Sequence, residues 1–238
     1  MTKIFPTEVS AVEVGAQPPR PSVWAVLPVK NSVDAKQRLI PILEPDERQA
    51  LFTAMLRDVL TALAGSRLLS GIVVLTRDLA TGTLAREYGT EVVAEPANDG
   101  HSSAISRGAE YLLAKGRQAM LALPGDIPLL TAGDVDQLVA SLTTSPGFSI
   151  APSSDEFGSN GLLASPPDLI EFAFGHDSFR PHLARARAAG VQPSVLHLDG
   201  FALDVDQPDD LRRFAASASD THAYAYLRDA RLLGKLGS

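Results

Sequence analysis

Four short apolar runs, each separated from the next by a stretch with helical periodicity, constrain this chain more than any other feature. They are Val23–Val29, Gly71–Thr76, Glu91–Ala94 and Ala119–Leu123. Between the first two lies a helix from about Pro45 to Leu63, where Leu51, Met55, Val59 and Leu63 recur at four-residue steps as one apolar stripe. A second helix spans about Leu79 to Tyr88, and a third begins at a Ser102 or Ser103 cap and runs to about Lys115. A fourth runs from a Thr131 cap to Leu142. Continuous apolar strands that alternate with helices are covered on both faces, which predicts an α/β fold with a mostly parallel, doubly wound sheet.

The second half is less regular. Phe148–Pro152, Gly161–Ala164 and Val195–Leu198 read as short strands that insert antiparallel members at the sheet edge. A helix starts at Asp177-Ser178 and ends near Ala189, and residues from about Ala215 onward form a terminal helix. Residues 1–21, with Gln17-Pro18-Pro19-Arg20-Pro21, read as a flexible N-terminal extension, residues 22–216 as one domain and residues 217–238 as a helical tail.

Composition removes several classes of function. With no Cys, the chain has neither disulfides nor thiolate metal sites. No apolar run approaches the roughly 20 residues that span a bilayer, and no secretory signal is expected, so the expected place is the cytoplasm. A net charge of −7 argues against a nucleic-acid binder. An acidic protein that handles phosphate must gather its positive charge locally or take it from metal ions.

Charged residues gather where strands end. Asp126 follows Leu123-Pro124-Gly125, directly after the fourth strand. Asp204 and Asp206 are at i and i+2, so in extended backbone both carboxylates leave one face, while Pro208-Asp209-Asp210 suits the first turn of a helix. Three carboxylates at strand ends suit a hard divalent cation that carries phosphates, and the two later ones equally suit a turn and a cap. After the first strand, Lys30, Lys36 and Arg38 occupy the carboxyl edge where open α/β sheets bind ligands. They suit a triphosphate, or simply a solvated basic loop. The turn at Gly100 and the Ser102-Ser103 pair offers free amides to a sugar or phosphate, or plain helix capping. Ser178 at a helix start, with Gly175 before it, makes a small anion pocket. His176 and His182 are six apart, which does not suit a two-His zinc site, and they read as surface or capping residues. The chain has no GxxxxGK[ST], GxSxG or HExxH motif and no dinucleotide glycine fingerprint after the first strand.

Taken in order, Pro28-Val29-Lys30 with Lys36-Gln37-Arg38-Leu39, then PGDIPLL from Pro124, GSNGLL from Gly158, FGHDSFRPH from Phe174 and LDVDQPDDL from Leu203 resemble one family. It is the 2-phospho-L-lactate/phosphoenolpyruvate guanylyltransferases of coenzyme F-420 biosynthesis. The likeness covers about Val23 to Phe214 and implies a three-layer α/β/α nucleotidyltransferase fold of glycosyltransferase-A type. It implies that Asp126, Asp204 and Asp206 hold Mg²⁺, and that Lys30, Lys36 and Arg38 are catalytic cations against the GTP phosphates. It implies that Pro28, Lys30, Gly100, Ser102, Ser103 and Gly125 line the nucleotide, and that Ser159, Asn160, Gly175 and Ser178 bind the acceptor. Gly100-His101-Ser102-Ser103-Ala104 departs from the family's Gly-Leu-Asn-Ala-Ala, and Gly161 stands for a commoner Ala that would narrow the acceptor pocket.

The implied reaction transfers GMP from GTP to the phosphate of a small phosphorylated three-carbon acid, phosphoenolpyruvate or 2-phospho-L-lactate, and releases pyrophosphate. The alternatives are the same reaction on 3-phosphoglycerate, or a non-catalytic nucleotide-binding relative. A sugar- or molybdopterin-type nucleotidyltransferase would open with a glycine-rich loop where this chain has Leu27-Pro28-Val29-Lys30-Asn31. The implied partners are GTP and the acid, with no nucleic acid and no membrane, and a homodimer is left open.

Overall fold

The computed structural model describes residues 20–30, 36–96, 100–175 and 177–236. Residues 1–19, which include most of the segment expected as an N-terminal extension, and residues 31–35, 97–99, His176 and 237–238 lie outside the described residues.

The first half follows the alternation read from the sequence. Strand β1 (Val23–Val29) leads through a short 3-10 turn at Gln37–Leu39 into α1 (Pro45–Gly65). Then come β2 (Leu69–Thr76), α2 (Leu79–Glu87), β3 (Glu91–Ala94), α3 (His101–Ala114), β4 (Ala119–Ala122) and α4 (Ala132–Ala140). The second half adds β5 (Gly147–Pro152), β6 (Ser159–Ser165), α5 (Phe179–Ala188), β7 (Ser194–Val195), α6 (Pro208–Ala216), α7 (His222–Asp229) and α8 (Leu233–Leu236).

The seven strands form one sheet in the order β3-β2-β1-β4-β6-β5-β7. β1 pairs in parallel with both β2 and β4, and β6 runs antiparallel to both of its neighbours. The strand order reverses direction at β1 and β4, so their carboxyl ends open the crevice where such sheets bind ligands. Strand residues alternate strictly between two cores. Ala25, Leu27, Leu121 and Leu163 join α1, α4 and α6, while Val26, Met120, Leu162 and Ala164 join α3 and α5. Helices therefore cover both faces, which is the expected three-layer architecture. Gly108 lets α3 approach β1 closely, since an added Cβ would lie 2.5 Å from Val26 Cγ1.

Local chemistry sets the helix ends. Glu44 and Glu47 form a capping box with Pro45 at the start of α1, and Thr131 accepts from Asp134 N–H to open α4 as expected. The expected cap at Ser102 or Ser103 is corrected: Gly100, at φ 106°, is the N-cap of α3. A backbone conformation that only glycine adopts freely fixes that start, so neither serine is needed for it. The strand expected over Val195–Leu198 shrinks to Ser194–Val195, because only Ser194 and Val195 pair with β5 before the chain turns into a 3-10 helix at Asp199–Phe201. Among the described residues no helix is long and apolar enough to cross a membrane.

The C-terminal helices fold onto α1 through a buried acid. Asp58 accepts hydrogen bonds from the N–H groups of His222 at 2.6 Å and Ala223 at 2.9 Å, in the first turn of α7. Thr221 accepts from Tyr224 N–H, so three of the four free amides at that helix start have partners. Burial pushes the Asp58 carboxyl up against these hydrogen bonds, which is the signature of an acid held in place by packing. Replacing it leaves buried amides unpaired. Asp58→Ala should lower stability by about 2 kcal/mol in chemical denaturation, with amide exchange in α7 accelerated before that in the sheet.

Candidate active site

Three segments bring charge to the carboxyl edge between β1 and β4. Asp126 arrives on the turn after β4. The segment that carries Asp204 and Asp206 is fixed beside it, since Val205 N–H donates to the Asp126 carbonyl at 3.0 Å and the Val205 side chain is fully buried. With Val205 turned inward, its two acidic neighbours face outward together, as the i, i+2 spacing requires. Lys36 completes the group from the β1 side. Its ammonium bonds the carboxylates of both Asp126 and Asp206, the second at 2.7 Å, and only 4% of its side chain is exposed. Lys36 adopts φ 58°, an uncommon conformation for a residue with a side chain. Arg38 reaches Asp206 from the solvent side at 3.4 Å.

The electrostatics of this cluster are uneven. Burial by itself pulls the Lys36 ammonium down, yet the charges and hydrogen bonds of Asp126 and Asp206 outweigh it and raise its pKa above the ordinary lysine value. For Asp206, burial is outweighed by Lys36 and then Arg38, which hold its carboxyl below the usual range. Asp204 goes the other way. Burial pushes it up and the Asp126 charge adds to this, while one hydrogen bond from Asn160 Nδ2 at 3.2 Å opposes. Asp126 Oδ1 is buried and has no hydrogen-bond partner. Among the described residues no three His, Asp or Glu side chains are gathered closely enough to form a ready-made metal cage. Lys36 stands between two of the acids instead. An orphaned carboxylate oxygen, an under-compensated Asp204 and a lysine standing in for a cation fit a site that takes further positive charge.

A β-bulge divides the site. Ala151 pairs with Gly161 and Pro152 with Ser159, so Asn160 is the extra residue of β6. Ser159 therefore turns toward α5 while Asn160 turns toward the acids. Asn160 Nδ2 donates to the Phe201 carbonyl at 2.8 Å as well as to Asp204. On the α5 side, Ser178 Oγ lies 3.1 Å from Ser159 Oγ, and His182 Nδ1 lies 3.0 Å from it. The reading of His182 as a surface or capping residue is corrected. His182 is fully buried, because Phe179, His182 and Ala186 form the inner face of α5. Helical periodicity over those positions was the signal that could have found it. The expectation that Gly161 widens the acceptor pocket is corrected too: an added Cβ would meet Phe201 at 2.7 Å and Leu138 at 2.8 Å, in the core.

The residues expected to meet the nucleotide come from the ends of β1 and β4 and the start of α3. Pro28 is paired with Leu75 near the end of β1, and Lys30 follows, exposed. Gly125 is buried, with Leu56 Cδ1 3.5 Å from where a Cβ would stand. Ser102 and Ser103 lie in the first turn of α3, and Ser102 Oγ accepts from Phe174 N–H at 2.9 Å, which ties that turn to the segment before Gly175. His101 packs edge-on against Phe174 with ring centroids 4.7 Å apart. Burial lowers its pKa, the Asp126 charge opposes and the Lys30 charge adds, so the three groups lie near enough to feel one another.

The family model described as "Guanylyl transferase CofC like" matches residues 23–236. A phosphoenolpyruvate guanylyltransferase of Sphaerobacter thermophilus is 36% identical over 194 residues, 82% of this chain and 93% of the relative. A 2-phospho-L-lactate guanylyltransferase of Methanothermobacter thermautotrophicus is 31% identical over 211 residues, 89% of this chain and 92% of the relative. A 3-phospho-D-glycerate guanylyltransferase of Colwellia psychrerythraea is also 31% identical, over 82% of this chain and 91% of the relative. Among solved structures, a protein provisionally described as a nucleotide-diphospho-sugar transferase from Desulfovibrio desulfuricans superimposes with a TM-score of 0.71. It is 20% identical and covers 89% of this chain and 96% of its own. A nucleotidyl transferase from Methanothermobacter gives 0.60 at 16% identity, over 87% of this chain and 99% of its own. Both share the fold.

Two measurements follow from the buried groups. Burial holds His182 at a pKa of about 4 against an ordinary 6.5, with the Arg185 charge adding in the same direction. Above pH 6.5 both folded and unfolded chains carry it neutral; below that the unfolded chain takes up a proton first. Its contribution is therefore lost as pH falls from 6.5 toward 4, by up to roughly 3 kcal/mol, and His182→Asn should flatten that part of the acid-stability curve. Gly161→Ala should cost about 1–2 kcal/mol of stability through overpacking and leave the choice of acceptor unchanged, measured by denaturation and by competing acceptors.

Proposed function

The chain belongs to the CofC-like guanylyl transferase family, and we propose that it transfers GMP from GTP to the phosphate of phosphoenolpyruvate or 2-phospho-L-lactate. The product would serve coenzyme F-420 biosynthesis in the cytoplasm. One observation carries the reading: Lys36, Arg38, Asp126, Asp204 and Asp206, from three separated segments, meet at the carboxyl edge between β1 and β4.

An oxygen of the acceptor phosphate attacks the α-phosphorus of GTP in line. A new phosphorus–oxygen bond forms, the bond to the β-phosphate bridging oxygen breaks, and pyrophosphate leaves with the electron pair. The acceptor phosphate is already ionised at neutral pH, so no protein base has to take a proton. The difficulty is bringing two anions together, and the chain meets it with position and charge. Lys30 and Arg38 supply point charges on the nucleotide side of the cleft. Ser159, Ser178 and the backbone at Gly175 hold the acceptor on the other side of the bulge. Asn160 keeps the Asp204 segment in place through the Phe201 carbonyl. Asp126, Asp204 and Asp206 would hold a divalent metal such as Mg²⁺. When bound, that ion would neutralise phosphate charge and align the α-phosphate.

Pyrophosphate release, measured with GTP, Mg²⁺ and each of phosphoenolpyruvate, 2-phospho-L-lactate and 3-phosphoglycerate, tests the reading. Release is expected with one of the first two, and mass analysis of the product identifies it. Asp204→Asn should reduce kcat by about a hundredfold or more while the melting temperature is kept. Wild-type turnover in that variant would reject the metal assignment, and turnover with 3-phosphoglycerate alone would reject the acceptor.

A further inference from the structure

His182 has two ring nitrogens with two different partners. Ala173 N–H donates to Nε2 at 3.1 Å, so that nitrogen carries no proton. A neutral imidazole then has its proton on Nδ1, which lies 3.0 Å from Ser159 Oγ. Ser159 and Ser178 are 3.1 Å apart and have two hydroxyl protons between them. One proton is used in the bond that joins them. With the imidazole donating the next bond, one hydroxyl proton is left over whichever serine donates to the other. With the opposite tautomer, a hydroxyl would have to donate to Nδ1, and none would remain.

We propose that His182 is the positioning residue of the acceptor subsite: its Nδ1–H occupies a lone pair of Ser159 Oγ and so directs the spare hydroxyl proton of the Ser159–Ser178 pair toward an anionic oxygen of the acceptor, and its Nε2 holds the backbone that leads to Gly175. Ser159 is the outlet of the pair, since it retains 6% exposure against 1% for Ser178. Gly175 has no atom within 4 Å of an added Cβ, so room for a ligand remains beside it. Two aromatic contacts fix the imidazole plane: Phe174 lies edge-on to His182 at 4.9 Å and is itself held by His101 at 4.7 Å. Burial keeps the ring neutral in the working range, with Arg185 on the same helix acting in the same sense. A charged imidazolium could not accept from Ala173 and would release that backbone.

The inference rests on the reading of this cleft as a guanylyltransferase site, so its tests are chosen to fail separately from that reading. Nitrogen-15 spectra of the wild-type protein, with the His182 signal identified by its loss in His182→Asn, report the tautomer without any substrate. The Nδ1–H form is expected between pH 6 and 8, and the Nε2–H form or an imidazolium overturns the proposal. In steady-state kinetics, His182→Leu leaves the spare hydroxyl proton undirected and Ala173 N–H without its acceptor, so KM for the acceptor should rise by about tenfold, the scale of one misdirected hydrogen bond to an anion, with KM for GTP within about twofold. His182→Asn, which restores a donor toward Ser159, should recover most of that loss. Equal increases in both KM values, or no rescue by Asn, would mean a purely structural role and overturn it. Should His182→Leu not fold, the tautomer measurement and the Asn variant still decide.

Discussion

The salt bridge of Lys36 with Asp126 and Asp206 is the contact on which the cleft depends. Three carboxylates are carried to one strand edge by the backbone itself, through the bond from Val205 N–H to the Asp126 carbonyl and the burial of the Val205 side chain. In a poorly solvated place such charges repel strongly, and the fold needs a cation there before any ligand arrives. Lys36 supplies it from a left-handed backbone conformation that costs on the order of 1 kcal/mol, which the double ion pair offsets. Compensation is incomplete by design of the geometry: Asp206 is satisfied, Asp204 is not, and Asp126 Oδ1 has no partner. The folded chain therefore holds Lys36 and Arg38 at the edge and still favours the arrival of further positive charge.

The two walls of the cleft are mechanically joined. Ser102, from the first turn of α3, accepts from Phe174 N–H, while His182, from α5, accepts from Ala173 N–H. Adjacent residues of one short segment thus report to both walls. His101 and His182 also both pack edge-on with the Phe174 ring, at 4.7 and 4.9 Å between centroids. A displacement of the α3 turn would therefore be felt at the segment before Gly175, because both hydrogen bonds, 2.9 and 3.1 Å long, hold neighbouring backbone amides.

Elements whose signal is local were legible in the sequence. The four parallel strands follow from continuous apolar runs, and α1 and α4 follow from a four-residue stripe and a Thr131 cap. The acids and Lys36 could be proposed because strand ends in such sheets are ligand sites. What sequence left hidden depends on contacts far along the chain. No pattern near residue 182 shows that its imidazole meets residues 159 and 173. The bulge at Asn160 is equally silent, since it is defined by pairing with β5 and not by composition. Gly161 was misread for the same reason: its neighbours, Phe201 and Leu138, come from segments that only the fold brings together. That Lys36 bridges the acids, in place of facing open phosphate space, required its backbone angle.

The bulge has a chemical consequence for selectivity. By adding one residue to β6, it sends Ser159 to the α5 side and Asn160 to the acids, so the residue proposed for the acceptor and the residue that supports the carboxylate cluster are adjacent in sequence and lie on opposite walls. The phosphorylated acids named for the relatives share a phosphate and a carboxylate. In the proposed subsite, a hydroxyl pair poised as a donor, beside an open backbone at Gly175, would recognise what they share. It has no means of sensing an enol double bond or a displaced oxygen, since those differ in shape and not in anionic charge. Discrimination must then come from groups that touch the carbon skeleton, and truncating a donor should weaken all three acids together while preserving their ranking.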